Sequence, residues 1–482
     1  MAAKMVVGER SVDAIGGEEL PVIDPATVGY LDAVPLAGPE DVDVAVGHAR
    51  SAFESWSRID AEERAATLRA GLRLIRDHAD ELVDTLVHEQ GKPTTEAHGE
   101  LQHFLHGMEY YIDLATKLRG AYQDLPSTLG PSFGMVLWRP IGIVGAIVPY
   151  NYPRTLMGTK IGPALVTGNT VILKPAATTP LTTLKVAELF RESGLPPGAF
   201  NVVTGEGHTV GEALVQHPDI RRIAFTGSTA AGRRVAELAA ASFKRVSLEL
   251  GGSDPVIVCP DAELDKAAKS VLIGRFWNAG QSCLAVKRAF IFGEVYQEFV
   301  DRLVAGAERY EPGPGWTKPE KPKIRIGPLN SKARLDEVAT QLESTLKRGG
   351  KVLCGGSPDG SGPGFFFPAT IVAEAPLDSP LTREEVFGPV LPVFRVESFD
   401  EAIRLANDTP YGLGSSIWTH NVRLINRAAR EIDAGMTWVN QIHFGYDELP
   451  FGGVKQSGVG REHGPEALDH YTEFKSVVVG GL

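Results

Sequence analysis

The sequence predicts an α/β protein built on open parallel sheets with helices packed on their faces. Three observations predict it. Short β-branched runs alternate with helical stretches through the middle of the chain, the same alternation resumes after residue 252, and glycine and proline punctuate the connections. At 482 residues the chain exceeds what one core holds, so two or three structural units are expected.

In the first set the strands are expected at 142–148, 170–173, 200–203, 222–225 and 245–250, with helices at 156–165, 181–191, 210–216 and 230–240 between them. Each strand follows the last by about thirty residues or fewer, the length a βαβ crossover needs. Gly194 with Pro196, Pro197 and Gly198 breaks the second connection, and His217-Pro218 the third. The second set opens with a strand at 255–258, a helix at 262–279, a strand at 288–292 and a helix at 295–308. Residues 310–328 carry five prolines and read as surface chain without regular structure, after which the alternation continues through 412–418 and 436–440. Residues 41–88 show helical periodicity in charge-rich segments, which predicts two or three amphipathic helices that only cover other elements. Pro126, Gly130, Pro131 and Gly134 mark turns leading into an extended arm near 121–138, and 472–479 is an apolar terminal strand that needs a partner sheet.

Composition narrows the function classes. The formal charge of −12 is spread along the chain, which argues against nucleic acid or an anionic membrane as partner. The longest apolar stretch, 141–148, is interrupted by Gly142 and Gly145 and ends at Pro149, too short to span a bilayer. The first ten residues lack the pattern of a secretory leader, so a cytoplasmic location is expected. Three cysteines, Cys259, Cys283 and Cys354, are too few and too scattered for a disulfide framework or a zinc site, and no metal is expected. Cys259 follows the apolar run 255–258 and reads as a small buried hydrophobe.

Four local patterns carry candidate chemistry. In Phe225-Thr226-Gly227-Ser228-Thr229 a strand ends in glycine and serine as a helix begins, which exposes backbone N–H groups to an anion; a plain serine cap would look the same. In Leu248-Glu249-Leu250-Gly251-Gly252 a carboxylate sits in an apolar strand end, where burial raises its proton affinity toward that of a general base; a paired structural glutamate fits equally. Cys283 follows Gly280-Gln281-Ser282 at a helix end, where a thiol is accessible and open to activation. Asn151 lies between Pro149 and Pro153 beyond the first strand's carboxyl end, placed to donate its amide to an oxyanion.

Taken in order, Tyr150-Asn151-Tyr152-Pro153, Leu173-Lys174-Pro175, Phe225-Thr226-Gly227-Ser228-Thr229, Leu248-Glu249-Leu250-Gly251-Gly252, Gly280-Gln281-Ser282-Cys283, Glu384-Glu385-Val386-Phe387-Gly388-Pro389 and Pro450-Phe451-Gly452-Gly453-Val454-Lys455-Gln456-Ser457-Gly458 resemble the aldehyde dehydrogenase superfamily over nearly the whole chain. The resemblance implies a Rossmann-type cofactor domain (1–120 and 141–252), an α/β catalytic domain (253–466) and a small β oligomerisation arm (121–140 and 467–482), in a homodimer or homotetramer. It implies NAD or NADP as cofactor and oxidation of an aldehyde to a carboxylic acid. Cys283 would be the nucleophile, the Asn151 side chain and Cys283 N–H the oxyanion donors, and Glu249 the base that activates water. Lys174 would hold the adenosine ribose, Gly227 and Ser228 the pyrophosphate and Glu385 the nicotinamide ribose, with Phe387, Leu250, Ile147, Val148, Pro149 and Tyr150 around them. The matching substrate positions, Tyr152, Leu156, Trp277, Leu284 and Phe444, suit a medium-sized apolar or aromatic aldehyde.

The chain departs from the family's pattern in three places. Many NAD-preferring members carry a glutamate where this chain has Ala177, so the electrostatic block to a 2′-phosphate is missing and cofactor preference is open. Tyr150 replaces the usual tryptophan. Some succinate-semialdehyde enzymes, which the 248–255 segment also resembles, place an arginine before the lysine at Lys160; here it is Thr159, with Arg154 the nearest substitute. A coenzyme A-acylating enzyme would use the same cysteine but typically lacks the glutamate, so Glu249 counts against it. A non-catalytic protein on this fold would be expected to have lost these residues.

Overall fold

The computed structural model describes residues 3–480 except 118, 119, 127–129, 131, 359 and 361, so Pro131 and the arm residues 481–482 lie outside it. Alternation of period two builds the first sheet. Val144 and Ala146 of Ile143–Ile147, Val171 and Leu173 of Thr170–Lys174 and Ala224 of Ile220–Thr226 join one core with Trp56, Leu68 and Phe104. Ile143, Ile147, Ile172, Ile223 and Phe225 enter the opposite core with Val42, Ala49 and Leu214. Burying each large apolar side chain contributes about 1.5–3 kcal/mol, and helices on both faces explain why these strands read as unbroken hydrophobic runs.

The parallel strands stand side by side as Phe200–Val202, Thr170–Lys174, Ile143–Ile147, Ile220–Thr226 and Arg245–Glu249. The chain therefore winds one way from Ile143–Ile147 and then returns to that strand's other side. This reversal opens a crevice beyond the carboxyl ends of Ile143–Ile147 and Ile220–Thr226, the place where such sheets take ligands. Antiparallel additions close both edges: Met5–Val7 beside Phe200–Val202, and Gly458–Val459 beside Leu248 and Glu249. Gly458 has φ +154°, and a Cβ there would overlap the Leu248 carbonyl, so glycine alone lets this distant segment close on Glu249.

A second sheet runs Lys351–Cys354, Thr370–Ala373, Val390–Val396, Val286–Phe292, Asp254–Val258, Ser416–Trp418 and Trp438–Val439, parallel except for the first. Its core holds Cys259 with Phe290 and Trp418, as expected of a small buried hydrophobe. The third sheet is antiparallel: Thr472–Gly480 pairs along its length with Ser132–Pro140, which pairs in turn with Ala121–Leu125. The terminal strand thus finds its partner within its own chain.

Several elements differ from their expected form. Residues 310–328 are not wholly irregular, because Tyr310–Pro312 and Ile324–Ile326 pair in parallel, a contact too short to leave a periodic pattern. The helix expected at 262–279 is Leu264–Phe276, and the turn after it has its own conformation. The helix expected at 210–216 begins as a wide turn, Gly207–Gly211, and continues as Glu212–Gln216. Ahead of the arm, Pro39–Trp56, Ala61–Asp77 and Ala79–Gln90 are the expected helices, and a fourth, Thr94–Ala115, follows them. Among the described residues no helix is long and apolar enough to cross a membrane.

Candidate active site

The cysteine loop owes its shape to the end of helix Leu264–Phe276. Asn278 and Ala279 take left-handed φ values of 53° and 54°, which throws the chain back on itself just before Cys283. Such residues persist only where neighbours hold them. Here the Asn278 backbone N–H donates to Glu96 (2.7 Å), its side-chain amide donates to the carbonyls of Asn151 (2.9 Å) and Gln281 (3.2 Å), and its side-chain oxygen accepts from Gln90 (3.1 Å). Lys92, buried against Glu100, donates to the same Asn151 carbonyl at 2.8 Å. The Asn151 amide donates one hydrogen to the Gln281 carbonyl at 3.0 Å, which leaves its second hydrogen for another acceptor.

Two cavities meet at this loop. One is a cleft of about 410 Å³ at the strand reversal, lined by Pro149, Tyr150 and Asn151 from one strand end, Gly227 and Ser228 from the next, and Leu250, Cys283, Glu385 and Phe387. The other is a funnel of about 300 Å³ whose lining includes Tyr152, Leu156, Trp277, Cys283, Leu284 and Phe444. Cys283 lines both, half-buried at their junction. Burial pushes its thiol up to about 12; Lys287 pulls against this, while Glu385, Asp254 and Glu249 add to it.

The cleft fits a dinucleotide. Ser228 caps helix Thr229–Ala240 by accepting from the Ala231 N–H at 3.3 Å, so that helix's positive end faces the cleft. Lys174 is buried with its ammonium donating only to the Pro175 carbonyl at 2.8 Å, and burial pulls it down to about 8, opposed by Glu206. Two of its N–H groups remain for a ligand's hydroxyls. Glu385 accepts from the Gly252 N–H at 3.0 Å, and Tyr150 packs edge-on against Phe387.

Not every expected cleft residue lies on its wall. Ile147 and Val148 direct their side chains into the two opposite cores, as strand alternation requires, and Lys174 sits beside the lining rather than within it. Glu249 lines neither cavity. It is buried, neither carboxylate oxygen has a hydrogen-bond partner among the described residues, and a Cβ on Gly452 would fall 2.6 Å from its Oε1. Burial raises its carboxyl well above the usual range and Glu462 raises it further, against Lys160 and Arg461. Lys160 and Glu462 form their own buried pair at 2.7 Å.

The sequence reading missed residues from both flanks. Arg334, Glu337 and Gln341 of helix Lys332–Lys347 and Tyr411 join the cleft, and Glu96, Glu100 and His103 of Thr94–Ala115 join the funnel. Helix Thr94–Ala115, which follows the expected helices of 41–88, therefore does more than cover the sheet. Their amphipathic periodicity carries no record of which distant loop their buried polar residues meet. The one available signal was the run Glu89-Gln90-Gly91-Lys92, charged and amide side chains at a helix end that the apolar pattern places inside.

Residues 12–477 match the model of the aldehyde dehydrogenase family. The chain belongs to that family. Its fold is shared by the NAD+ complex structure of an aldehyde dehydrogenase from Bacillus cereus, with TM-score 0.94 and 38% identity over 99% of this chain and 96% of that one. This aldehyde dehydrogenase is 37% identical to a mitochondrial succinate-semialdehyde dehydrogenase of Arabidopsis thaliana (99% of this chain, 89% of the relative). It is 36% identical to the succinate-semialdehyde dehydrogenase (NADP(+)) GabD of Escherichia coli strain K12 (97% and 96%), and 39% identical to a phenylacetaldehyde dehydrogenase of Pseudomonas fluorescens (99% and 95%). An aldehyde dehydrogenase of this family uses NAD or NADP, and the cleft's helix end and carboxylate, with the Lys174 ammonium beside it, are groups such a cofactor needs.

Proposed function

We propose that this enzyme oxidises a medium-sized apolar or aromatic aldehyde to its carboxylate, with Cys283 as nucleophile. The observation that carries the reading is the position of Cys283, which lines the cleft and the funnel together. A sulfur there reaches an aldehyde entering from one side while facing a cofactor held on the other. The thiol releases its proton to solvent, the thiolate adds to the carbonyl carbon, and the new oxyanion accepts hydrogen bonds from the second N–H of the Asn151 amide and from the Cys283 N–H. A bound NAD(P)+ would supply the acceptor for the hydride that leaves this carbon with its electron pair. The thioester that remains on sulfur is cleaved by water that gives its proton to Glu249, releasing the carboxylate and the free thiol. Lys174 would hold the adenosine ribose, Ser228 and the Gly227 backbone the pyrophosphate, and Glu385 the nicotinamide ribose.

The funnel supports an uncharged substrate. Tyr152, Leu156, Trp277, Leu284 and Phe444 line it, and Trp277 and Phe444 remain 42% and 37% exposed, as residues at an opening would. Among the described residues no lysine or arginine lines it, while Glu96, Glu100, Asp447 and Glu462 do. The Thr159 hydroxyl donates to Glu462 at 2.8 Å, and the guanidinium of Arg154 is buried outside the funnel, where it donates to the Ala97 carbonyl. A substrate carboxylate would therefore enter without a lysine or arginine to pair it, at a desolvation cost that apolar substrates avoid. Succinate semialdehyde, the substrate in the names of two relatives, is the competing reading.

An aldehyde panel run with NAD and NADP in parallel separates the two. Phenylacetaldehyde is expected to exceed succinate semialdehyde in kcat/KM by at least about tenfold; the reverse order would overturn the substrate assignment, and a requirement for coenzyme A would overturn hydrolytic deacylation. Asn151→Ala is expected to lower kcat by about 10²–10³-fold with intact thermal unfolding. Steady-state NAD(P)H absorbance measures it, and an unchanged kcat would remove Asn151 from the oxyanion site.

On the sheet order the chain is read as a cofactor unit (1–120 and 141–252), a catalytic unit (253–466) whose Gly458–Val459 reaches back to the first sheet, and an arm (121–140 and 467–482). The arm leaves Tyr122, Phe474 and Val478 about two-thirds exposed. A second copy of the chain, in a homodimer or homotetramer, would cover them.

A further inference from the structure

Lys287 is a buried cation that the reaction described above does not use. It lies on strand Val286–Phe292, just past the nucleophile, and its ammonium donates to the carbonyls of Cys283 (2.5 Å) and Ser282 (3.0 Å). Its third neighbour is the Glu385 carboxylate, 3.5 Å away, on a loop of quite different origin. The Lys287 side chain is 1% exposed and Glu385 18%, so the attraction between them is screened far less than at a surface. Glu385 in turn accepts from the Gly252 N–H and lines the cleft. One ammonium group thus binds the carbonyl of the nucleophile and the carboxylate that faces the cofactor.

We propose that Lys287 is a positioning residue that ties the Cys283 loop to Glu385, so that thiolate reactivity and cofactor affinity both depend on this one buried charge. The proposal rests on the reading of Cys283 as nucleophile and of Glu385 as a cofactor ligand. Cys283 is faced by Lys287 from the following strand, Glu385 from its loop, Asp254 from the neighbouring strand and Glu249 from the first sheet. Tyr152 lies on the funnel side, and His443 meets the loop at the Leu284 carbonyl, 3.0 Å away. Of the charged groups acting on the sulfur, Lys287 alone favours the thiolate and the three carboxylates oppose it. Removing Lys287 leaves the sulfur facing only those carboxylates, and it also frees Glu385 from the loop it is held against.

The test is the pH profile of Cys283 alkylation by iodoacetamide, in which the thiolate displaces iodide to form a thioether. Cys283→Ala serves as the blank for Cys259 and Cys354. Lys287→Met is expected to move the midpoint to higher pH, slow alkylation at pH 7 about tenfold and raise KM for NAD(P) about fivefold, with Lys287→Arg restoring most of both. Glu385→Gln is expected to act oppositely on the sulfur, speeding alkylation, while still raising KM for the cofactor. A lysine that only filled space would leave the midpoint unmoved. If wild-type activity survives alkylation, the nucleophile assignment fails and this proposal with it. If alkylation inactivates the wild type but Lys287→Met keeps its midpoint and its cofactor KM, only the role of Lys287 is overturned. Should Lys287→Met not fold, the Glu385→Gln profile decides: faster alkylation supports the link and an unchanged rate overturns it.

Discussion

Cys283→Ala is expected to cut NAD(P)H formation by at least about 10⁴-fold while leaving thermal unfolding nearly unchanged. The side chain sits at the junction of two cavities and is half-buried, so its loss removes little packing, of order 1 kcal/mol or less. No other thiol can take its place, because Cys259 is buried in the second core and Cys354 lies at that sheet's antiparallel edge strand. Steady-state absorbance at saturating aldehyde and cofactor, alongside a thermal melt, checks both halves. Residual turnover above about a hundredth of wild type in a folded variant would overturn the assignment of the nucleophile.

Glu249→Gln is expected to separate the two halves of the cycle. Acylation needs the sulfur and the oxyanion donors, so a burst of one NAD(P)H per active site should persist, while turnover after it falls about 10²–10⁴-fold for want of a base. Stopped-flow absorbance reads both phases, and loss of neither would mean that another group activates water. The same substitution is expected to stabilise the fold. Both carboxylate oxygens of Glu249 are buried without hydrogen bonds, and burial holds its folded pKa well above the unfolded value. A carboxyl shifted in that direction lends its stability below the unfolded pKa and loses it as pH rises through the folded one. Glutamine has no such proton to lose, so the variant's advantage in Tm should be small near pH 5 and widen toward pH 8. A gap that narrowed instead would show an ionised, well-partnered carboxylate. Activity is thus favoured by a group that the fold holds at a cost in stability.

The residues legible in the sequence are those whose chemistry is local. Gly227-Ser228 could be placed because a strand, a turn and a helix cap are adjacent in the chain, and the cap is present at the start of Thr229–Ala240. Tyr152, Leu156, Trp277, Leu284 and Phe444 could be gathered only through the family's motif order, yet all five line one funnel. Position in a motif does not say which way a side chain points, and those of Ile147 and Val148 enter the two opposite cores. Glu96 and Glu100 were out of reach, and of Lys92 only the polar run at its helix end showed. Lys92 meets Asn151, Glu96 meets Asn278 and Glu100 accepts from Lys92 and the Arg154 N–H, all through contacts that no periodicity encodes.

The sequence by itself determined the α/β class and the order of the central strands and helices. Those depend on backbone preference and side-chain alternation over a few residues, which act within each segment. Only the tertiary structure decided how Cys283 is set: the left-handed turn that presents it, the two cavities that meet at it, and the unpartnered burial of Glu249 behind it. The charge balance at the sulfur was decided there too, because Lys287 lies four positions along the chain from Cys283 whereas Glu385, Asp254 and Glu249 come from separate strands and loops. Electrostatic effects scale with distance and burial, and neither is a property of the sequence until the chain has folded.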